Sequence, residues 1–211
     1  MVTGNPATGI VLAGGAARRF GRDKLAEPVA GRSLLAAALA AVAAVCEEIV
    51  LVVAPGPPDP AAGTAIPARV RVVRDPVAHE GPLAGLATGL AATTTPLALV
   101  VAGDMPGLVP SVLDALLRRL EDGQTGGRPA GTRAVLAVLH DGERVGPLPC
   151  SLRVGEARAG VEALLATGER RLRAILDTLP RAVIPFAEWR ALDPAGASLR
   201  DVDRPEDLAP G

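Results

Sequence analysis

Aromatic residues and an excess of one charge are what this 211-residue chain most clearly lacks. It has two Phe, one Trp and no Tyr, too few to stack the bases of a nucleic acid strand. Its 22 basic and 23 acidic residues give a net charge of -1. We therefore expect no general attraction to nucleic acid or to acidic membranes.

Cysteine and long apolar stretches are also scarce. Cys46 and Cys150 are too few for a disulfide framework or a structural zinc site, and they predict reduced, buried thiols. The N-terminus has no basic stretch followed by an apolar one, so no signal peptide is expected. The longest apolar run, 34–46, is shorter than the roughly 20 residues of a membrane span. The sequence predicts a cytoplasmic protein without a membrane segment.

Histidine is limited to His79, expected in a solvated loop, and His140, expected in a turn. Neither Gly-x-Ser-x-Gly nor His-Glu-x-x-His occurs. Nucleophilic triad chemistry is therefore not expected.

What the chain does have is an apolar content of 49%, enough for a sizeable core, and its length predicts one domain over residues 1–211. Short β-branched runs alternate with helical stretches opened by Ser33, Pro82 and Pro110. The predicted strands are 9–13, 49–53, 70–73, 97–101, 134–139, 148–152 and 182–184. The predicted helices are 33–45, 82–92, 110–120, 161–166 and 171–179.

The first four predicted strands are largely apolar runs without a regular polar–apolar alternation, which is typical of strands covered on both faces. The fold class is therefore α/β, with an open, mostly parallel, Rossmann-like sheet, helices on both faces and right-handed crossovers. Ligands of such sheets bind beyond the carboxyl ends of the strands, so the residues after each strand are the candidates.

The loop after the first strand is rich in glycine and basic residues. Gly14 and Gly15 precede four basic residues within a stretch of seven: Arg18, Arg19, Arg22 and Lys24. Small residues let a phosphate approach the backbone, and the cations would neutralise it. The loop fits neither Walker A nor Gly-x-Gly-x-x-Gly. The alternative is a solvated basic turn, but the four cations favour a triphosphate site.

Carboxylates follow two other strands. Asp104, between Gly103 and Met105-Pro106, is a candidate Mg²⁺ ligand, because Mg²⁺ takes one or two carboxylates plus phosphate oxygens. The alternative is an ordinary Asp turn. Asp75 follows the third strand, beside Gly81 and backbone donors at the helix that Pro82 opens.

A third carboxylate, Asp203, lies near the C-terminus. It is a candidate second metal ligand if the tail returns to the site. It could equally cap a short helix beginning at Pro205.

These motifs resemble the molybdenum cofactor guanylyltransferase family of nucleotidyltransferases. The resemblance is carried by Leu-Ala-Gly-Gly-x-x-x-Arg-x-Gly-x-Asp-Lys at 12–24, Gly-Pro-Leu-Ala-Gly-Leu at 81–86, Gly-Asp-Met-Pro at 103–106 and Asp-Val-Asp-Arg-Pro-Glu-Asp-Leu at 201–208. Order and spacing agree over nearly the whole chain.

The resemblance implies Mg²⁺-dependent transfer of GMP from GTP to molybdopterin, with release of pyrophosphate. It implies nucleotide contacts from Leu12, Ala13, Gly14, Gly15, Asp75 and Gly81. Lys24 would hold phosphate, Asp104 would bind Mg²⁺, Asp203 would add a second metal contact, and Arg19 would act with Lys24 in catalysis. It also implies a monomer in transient contact with molybdenum cofactor enzymes.

The chain departs from the family pattern at three positions. Ala17 and Phe20 replace a common serine and a common methionine, and Ala54 stands where relatives often place an asparagine near the base. Transfer of CMP to the same pterin and a sugar-phosphate nucleotidyltransferase therefore stay open as alternatives. A nucleotide-binding module without turnover is the alternative outside enzymes.

Overall fold

A seven-stranded sheet with the order β5-β4-β1-β6-β8-β7-β9 organises the fold. The computed structural model describes residues 6–14, 24–29, 31–56, 68–76, 81–122 and 133–202. The strands of this sheet are β1 (Ala7–Leu12), β4 (Glu48–Val53), β5 (Arg69–Arg74), β6 (Leu97–Ala102), β7 (Leu136–His140), β8 (Val145–Arg153) and β9 (Arg181–Ile184). A separate two-stranded ribbon pairs β2 (Pro28–Val29) with β3 (Arg32–Ser33).

Helices connect the strands. They are α1 (Leu34–Ala43), α2 (Pro82–Ala92), α3 (Pro110–Glu121), α4 (Val154–Ala166), α5 (Ile175–Thr178) and α6 (Phe186–Arg190). Strands β5, β4, β1 and β6 are parallel, whereas β8 is antiparallel to both β6 and β7. Strands β7 and β9 therefore run in the direction of β6. The predicted mostly parallel sheet is confirmed.

Two hydrophobic cores lie on opposite faces of this sheet. Leu39 of α1 and Leu113 of α3 pack on one face, and Leu86 of α2 and Val161 of α4 pack on the other. Helices on both faces, as predicted, explain why β1, β4 and β6 are almost continuously apolar.

The two cysteines are buried, unpaired thiols, as predicted, and they belong to different cores. Burial raises the pKa of Cys46 to about 12 and raises the pKa of Cys150 as well. Both side chains serve as small apolar groups.

Local signals located three helices well. The Ser33 hydroxyl accepts a hydrogen bond from the Ala36 amide at 3.1 Å and caps α1. Helices α2 and α3 begin at Pro82 and Pro110, where the missing N–H of proline has no cost.

Other boundaries differ from the prediction. Helix α4 begins at Val154, seven residues before the predicted start at 161, and it contains Gly155 and Gly160. A Cβ at Gly160 would lie 2.5 Å from Leu179 Cδ2, so this glycine is there for close packing and does not end the helix. The ribbon β2–β3 and helix α6 were not predicted, because these short elements depend on tertiary contacts.

Candidate functional site

The sheet has a point where the chain reverses its direction of travel across the strands. From β1 it proceeds to β4 and β5 on one side, and it then returns to place β6 on the other side of β1. The crevice beyond the carboxyl ends of the strands at this point is the usual ligand position in open α/β sheets.

Backbone hydrogen bonds join the ends of the four parallel strands at this crevice. The Gly103 amide donates to Leu12 O at 2.9 Å, and the Ala13 amide donates to Val52 O at 2.7 Å. The Asp75 amide donates to Val53 O at 3.0 Å. The predicted candidates Leu12, Ala13, Asp75 and Asp104 therefore lie along one edge of the sheet.

Glycines bring the backbone close to the Asp75 carboxylate. A Cβ at Gly14 would lie 3.5 Å from Asp75 Oδ2, and a Cβ at Gly85 would lie 3.6 Å from the same oxygen. The carboxylate thus sits between the end of β1 and the first turn of α2. Gly14 was a predicted site residue, whereas Gly85 was quoted only as part of the second motif.

The other carboxylate oxygen of Asp75, Oδ1, is buried and accepts no hydrogen bond from the residues that the structure describes. Buried polar atoms are nearly always paired, because an unpaired one loses its hydration without compensation. An unpaired, buried carboxylate oxygen in a crevice is a ready acceptor for a donor on a ligand.

Asp104 lies at the tip of β6, half-buried, in a turn that other segments hold in place. Its carbonyl oxygen accepts a hydrogen bond from the Val202 amide at 3.1 Å. A Cβ at Gly103 would lie 3.4 Å from Leu25 Cδ2, so the turn Lys24–Ala26 is next to the Asp104 turn. The structure therefore brings three segments together: the backbone at the end of the first loop, the tip of β6 and the C-terminal segment.

Several predicted site residues lie outside the described residues: Gly15, Arg19 and Asp203, together with the side chain of Lys24. The Lys24 backbone is described in the turn Lys24–Ala26. Val202, the residue before Asp203, is hydrogen-bonded to Asp104. The roles of these four residues stay predictions.

Asp75 and Asp104 follow β5 and β6, which are separated in the sheet by β4 and β1. The Asp75 carboxylate reaches back toward β1, because a Cβ at Gly14 would lie 3.5 Å from its Oδ2. A ligand that contacts both aspartates would lie across the carboxyl end of β1.

A metal ion would depend on few protein ligands here. Within the described ranges, no three His, Cys, Asp or Glu residues form a cluster that could hold a metal. Asp104 fits the alternative mode, in which one carboxylate joins phosphate oxygens and water around Mg²⁺.

The start of α2 offers fewer donors than the sequence predicted. Gly81 has a φ of 87°, and a Cβ there would lie 2.8 Å from Arg170 O. The same carbonyl accepts a hydrogen bond from the Leu83 amide at 3.3 Å, and Pro82 has no N–H. One expected backbone donor is therefore used within the protein, and a nucleotide contact of Gly81 itself stays a prediction.

A basic turn beside α2 was missed in the sequence. Glu169 accepts hydrogen bonds from the Arg171 side chain and from the Arg170 and Arg171 amides. These bonds, the Arg171 side chain first, lower the pKa of Glu169 to about 2. Arg173 Nη1 donates to Val145 O at 3.1 Å, at the edge where the parallel strands end. The sequence feature that could have indicated this basic turn is the presence of three arginines among residues 170–173.

His140 is the last residue of β7, just before the predicted turn and not within it, and its Nδ1 accepts a hydrogen bond from the Gly142 amide at 3.1 Å. The other histidine, His79, lies outside the described residues. Among the helices in the described ranges, none has the length and hydropathy to cross a membrane.

Comparisons with known proteins agree with this geometry. The model of the MobA-like NTP transferase domain matches residues 9–183. A protein of Chloroflexus aggregans named probable molybdenum cofactor guanylyltransferase is 35% identical over 207 residues, which is 95% of this chain and 91% of the relative.

Solved structures of low identity share the fold. The molybdopterin-guanine dinucleotide biosynthesis protein A of Archaeoglobus fulgidus is 23% identical, with a TM-score of 0.73 over 95% of this chain and 94% of its own. An inositol-1-phosphate CTP transferase of T. maritima is 16% identical, with a TM-score of 0.70 over 98% and 93%. This fold therefore serves transferases named for different substrates.

Proposed function

Since the chain belongs to the MobA-like NTP transferase family, we propose that this nucleotidyltransferase transfers GMP from GTP to molybdopterin and releases pyrophosphate. The product would be a molybdopterin guanine dinucleotide. The observation that carries the proposal is the 35% identity, over 95% of the chain, to a relative named as a guanylyltransferase of the molybdenum cofactor.

The crevice supports an extended binding mode for GTP. The buried Asp75 Oδ1 would accept a hydrogen bond from the nucleoside, and the triphosphate would extend across the end of β1 toward Asp104. The small residues Ala13 and Gly14 leave room for the nucleotide between these two carboxylates.

The transfer step itself makes few demands on the protein. An oxygen of the acceptor phosphate forms a bond to the α-phosphorus of GTP, and the bond from that phosphorus to the bridging oxygen breaks and releases pyrophosphate. The acceptor phosphate has a second pKa of about 6, so it is already a nucleophile at neutral pH. No general base is needed, which agrees with the turn role of His140.

Charge neutralisation is the main requirement, because both reactants are anionic. Asp104 would hold a Mg²⁺ ion, which screens the phosphates and stabilises the leaving pyrophosphate. Arg19 and Lys24 would add further positive charge around the same phosphates. The Lys24 backbone lies beside the Asp104 turn, which supports this arrangement.

The strongest competing function is transfer of CMP. The position after β4 is Ala54, an exposed residue whose methyl side chain cannot form a hydrogen bond to a base. The fold also occurs in an enzyme named as a CTP transferase. Thermal shifts with GTP, CTP, UTP and ATP in Mg²⁺ decide between the bases: we expect the largest shift with GTP, and a larger one with CTP would replace the donor in the proposal.

The first prediction tests the role of Asp104. We expect Asp104→Ala to abolish pyrophosphate release with GTP, Mg²⁺ and molybdopterin while its far-UV circular dichroism stays that of the wild type. Asp114→Ala, on helix α3 and paired with Arg118, is the control and should keep full activity. Normal turnover of Asp104→Ala would remove the metal assignment. A wild type that binds GTP without releasing pyrophosphate would be a binding module.

A further inference from the structure

The C-terminal segment contains an unusual pair of buried polar side chains. We call residues 193–202 the C-terminal clamp; it lies beyond residues 9–183, which the family model matches. Asp193 is 3% exposed and Ser198 is completely buried. Asp193 Oδ2 accepts a hydrogen bond from the Ser198 amide at 2.8 Å.

The clamp holds both ends of the loop that carries Asp104. We call residues 103–109 the Asp104 loop. At its start, Asp104 O accepts from the Val202 amide at 3.1 Å, and at its end the Val109 amide donates to Ser198 Oγ at 3.0 Å. Between these bonds, a Cβ at Gly107 would lie 2.7 Å from Ala197 O. The loop is therefore in close contact with the clamp along its length.

Ser198 connects Asp193 to the loop because a hydroxyl can accept one hydrogen bond while it donates another. It accepts from Val109, and its hydroxyl and amide both bind Asp193. Burial acts to raise the pKa of Asp193, but the hydrogen bonds from Ser198 and the turn amides outweigh it and lower that pKa. A carboxylate that stays charged inside the protein orients the hydroxyl permanently.

The apolar side chains of the loop cannot supply the same control. Met105 and Leu108 are buried in the core and keep the loop attached to the sheet. Apolar contacts are not directional, whereas the hydrogen bonds at Asp104 and Val109 fix the orientation of the backbone.

We propose that Ser198, oriented by Asp193, is a positioning residue that sets the direction of the Asp104 carboxylate for the metal–nucleotide complex. This rests on the proposed function, in which Asp104 holds the metal. Mg²⁺ demands nearly ideal geometry, so a small change in the loop costs metal affinity. Losing a group that hydrogen-bonds a metal ligand directly weakens metal binding by about 10–100-fold, and Ser198, which acts through Val109, should have an effect at the lower end of that range.

The test measures how much a metal improves nucleotide binding, without turnover. Isothermal titration gives the dissociation constant of GTP once with EDTA and once with saturating Mn²⁺, and their ratio is the metal gain. The variants are Ser198→Ala, Asp104→Ala and the matched control Ser151→Ala. Ser151 is also completely buried and donates to Leu116 O at 2.6 Å, in the middle of α3.

We expect Ser198→Ala to lower the metal gain about tenfold and to leave the EDTA constant unchanged. Asp104→Ala should remove the gain, and Ser151→Ala should keep it. If Ser198→Ala does not fold, Asp193→Asn decides the matter: it retains an acceptor for the Ser198 amide and should lower the gain in the same direction.

Three results would overturn the proposal. A wild-type metal gain in Ser198→Ala, or in Asp193→Asn where that variant decides, would make the clamp a purely structural feature. An equal loss with EDTA and with Mn²⁺ would mean general damage to the site. A full gain in Asp104→Ala would instead refute the metal role of Asp104, and the positioning role would fail with it.

Discussion

Asp75 has a buried carboxylate oxygen in a crevice, which is an unfavourable arrangement in the ligand-free protein. It lies in a crevice beside Gly14 and Gly85, and its Oδ1 is buried without a hydrogen-bond partner in the described part of the chain. An unpaired buried acceptor costs about 1–3 kcal/mol of stability. A residue that lowers stability and faces a crevice is a good candidate for ligand binding, because a bound nucleotide would restore the missing hydrogen bond.

The prediction at this scale concerns Asp75→Ala. We expect GTP to bind about tenfold or more weakly, because a hydrogen bond to a charged group contributes about 1.5–3 kcal/mol. The unfolding free energy without ligand should not fall, since no hydrogen bond to Oδ1 is lost. Isothermal titration and urea denaturation measure the two effects. Unchanged GTP affinity would exclude Asp75 from the site.

The sequence located the candidate positions Asp75 and Asp104 because each follows a strand, and the ends of parallel strands meet at one edge of a sheet. It did not show that Oδ1 of Asp75 is unpaired, which depends on Gly14 and Gly85 from two other elements. It also missed the basic turn that packs on α2 through Arg170 O.

Helix α2 packs closely on the sheet. A Cβ at Gly89 would lie 2.6 Å from Ile10 Cγ2 of β1 and 3.2 Å from Val52 Cγ2 of β4. The helix can therefore approach β1 and β4 only because residue 89 has no side chain. This approach also places its first turn, with Gly85, against Asp75.

We predict that Gly89→Ala lowers the unfolding free energy. Overpacking costs about 1–3 kcal/mol, which exceeds the roughly 1 kcal/mol that alanine gains over glycine in a helix. Gly85→Ala is the matched control on the same helix, since its Cβ would meet nothing closer than 3.6 Å. Gly85→Ala should leave the unfolding free energy measured by urea denaturation unchanged or raise it. Equal stability of Gly89→Ala and the wild type would mean that α2 moves away from β1 at little cost.

Elements with strong local signals were predicted well, and the others were not. Proline at the first helical position and a serine cap act within one turn, so α1, α2 and α3 begin where the sequence indicated. The early start of α4 and the ribbon β2–β3 depend on distant partners, such as Leu179 against Gly160. Such contacts leave no local pattern in the sequence.

For the molecule as a whole, the clamp adds a pH-dependent contribution to stability. The pKa of Asp193 in the folded protein lies below its ordinary value of 3.8. A lowered pKa means that the charged form stabilises the fold above that value, and this contribution is lost as the pH falls through the folded pKa.

We therefore predict that Asp193→Asn is less stable than the wild type at pH 7, by about 1–3 kcal/mol, the cost typical of hydrogen bonds to a buried charge. The difference should persist down to about pH 4 and shrink below 3.8, because the carboxyl becomes protonated first in the unfolded state and then, at its lowered pKa, in the folded wild type. Urea denaturation of both proteins from pH 7 to pH 3 measures it. A difference that grows as the pH falls would contradict the lowered pKa.

The sequence by itself determined the fold class, the order of most elements and the strand ends that carry Asp75 and Asp104. It could do so because burial on both faces and the turn chemistry of glycine and proline act over a few neighbouring residues. Only the tertiary structure decided that β8 runs antiparallel, that Asp75 Oδ1 is unpaired and that residues 193–202 hold the Asp104 loop. Each of these depends on groups far apart in the chain that meet only when the two cores close on the sheet.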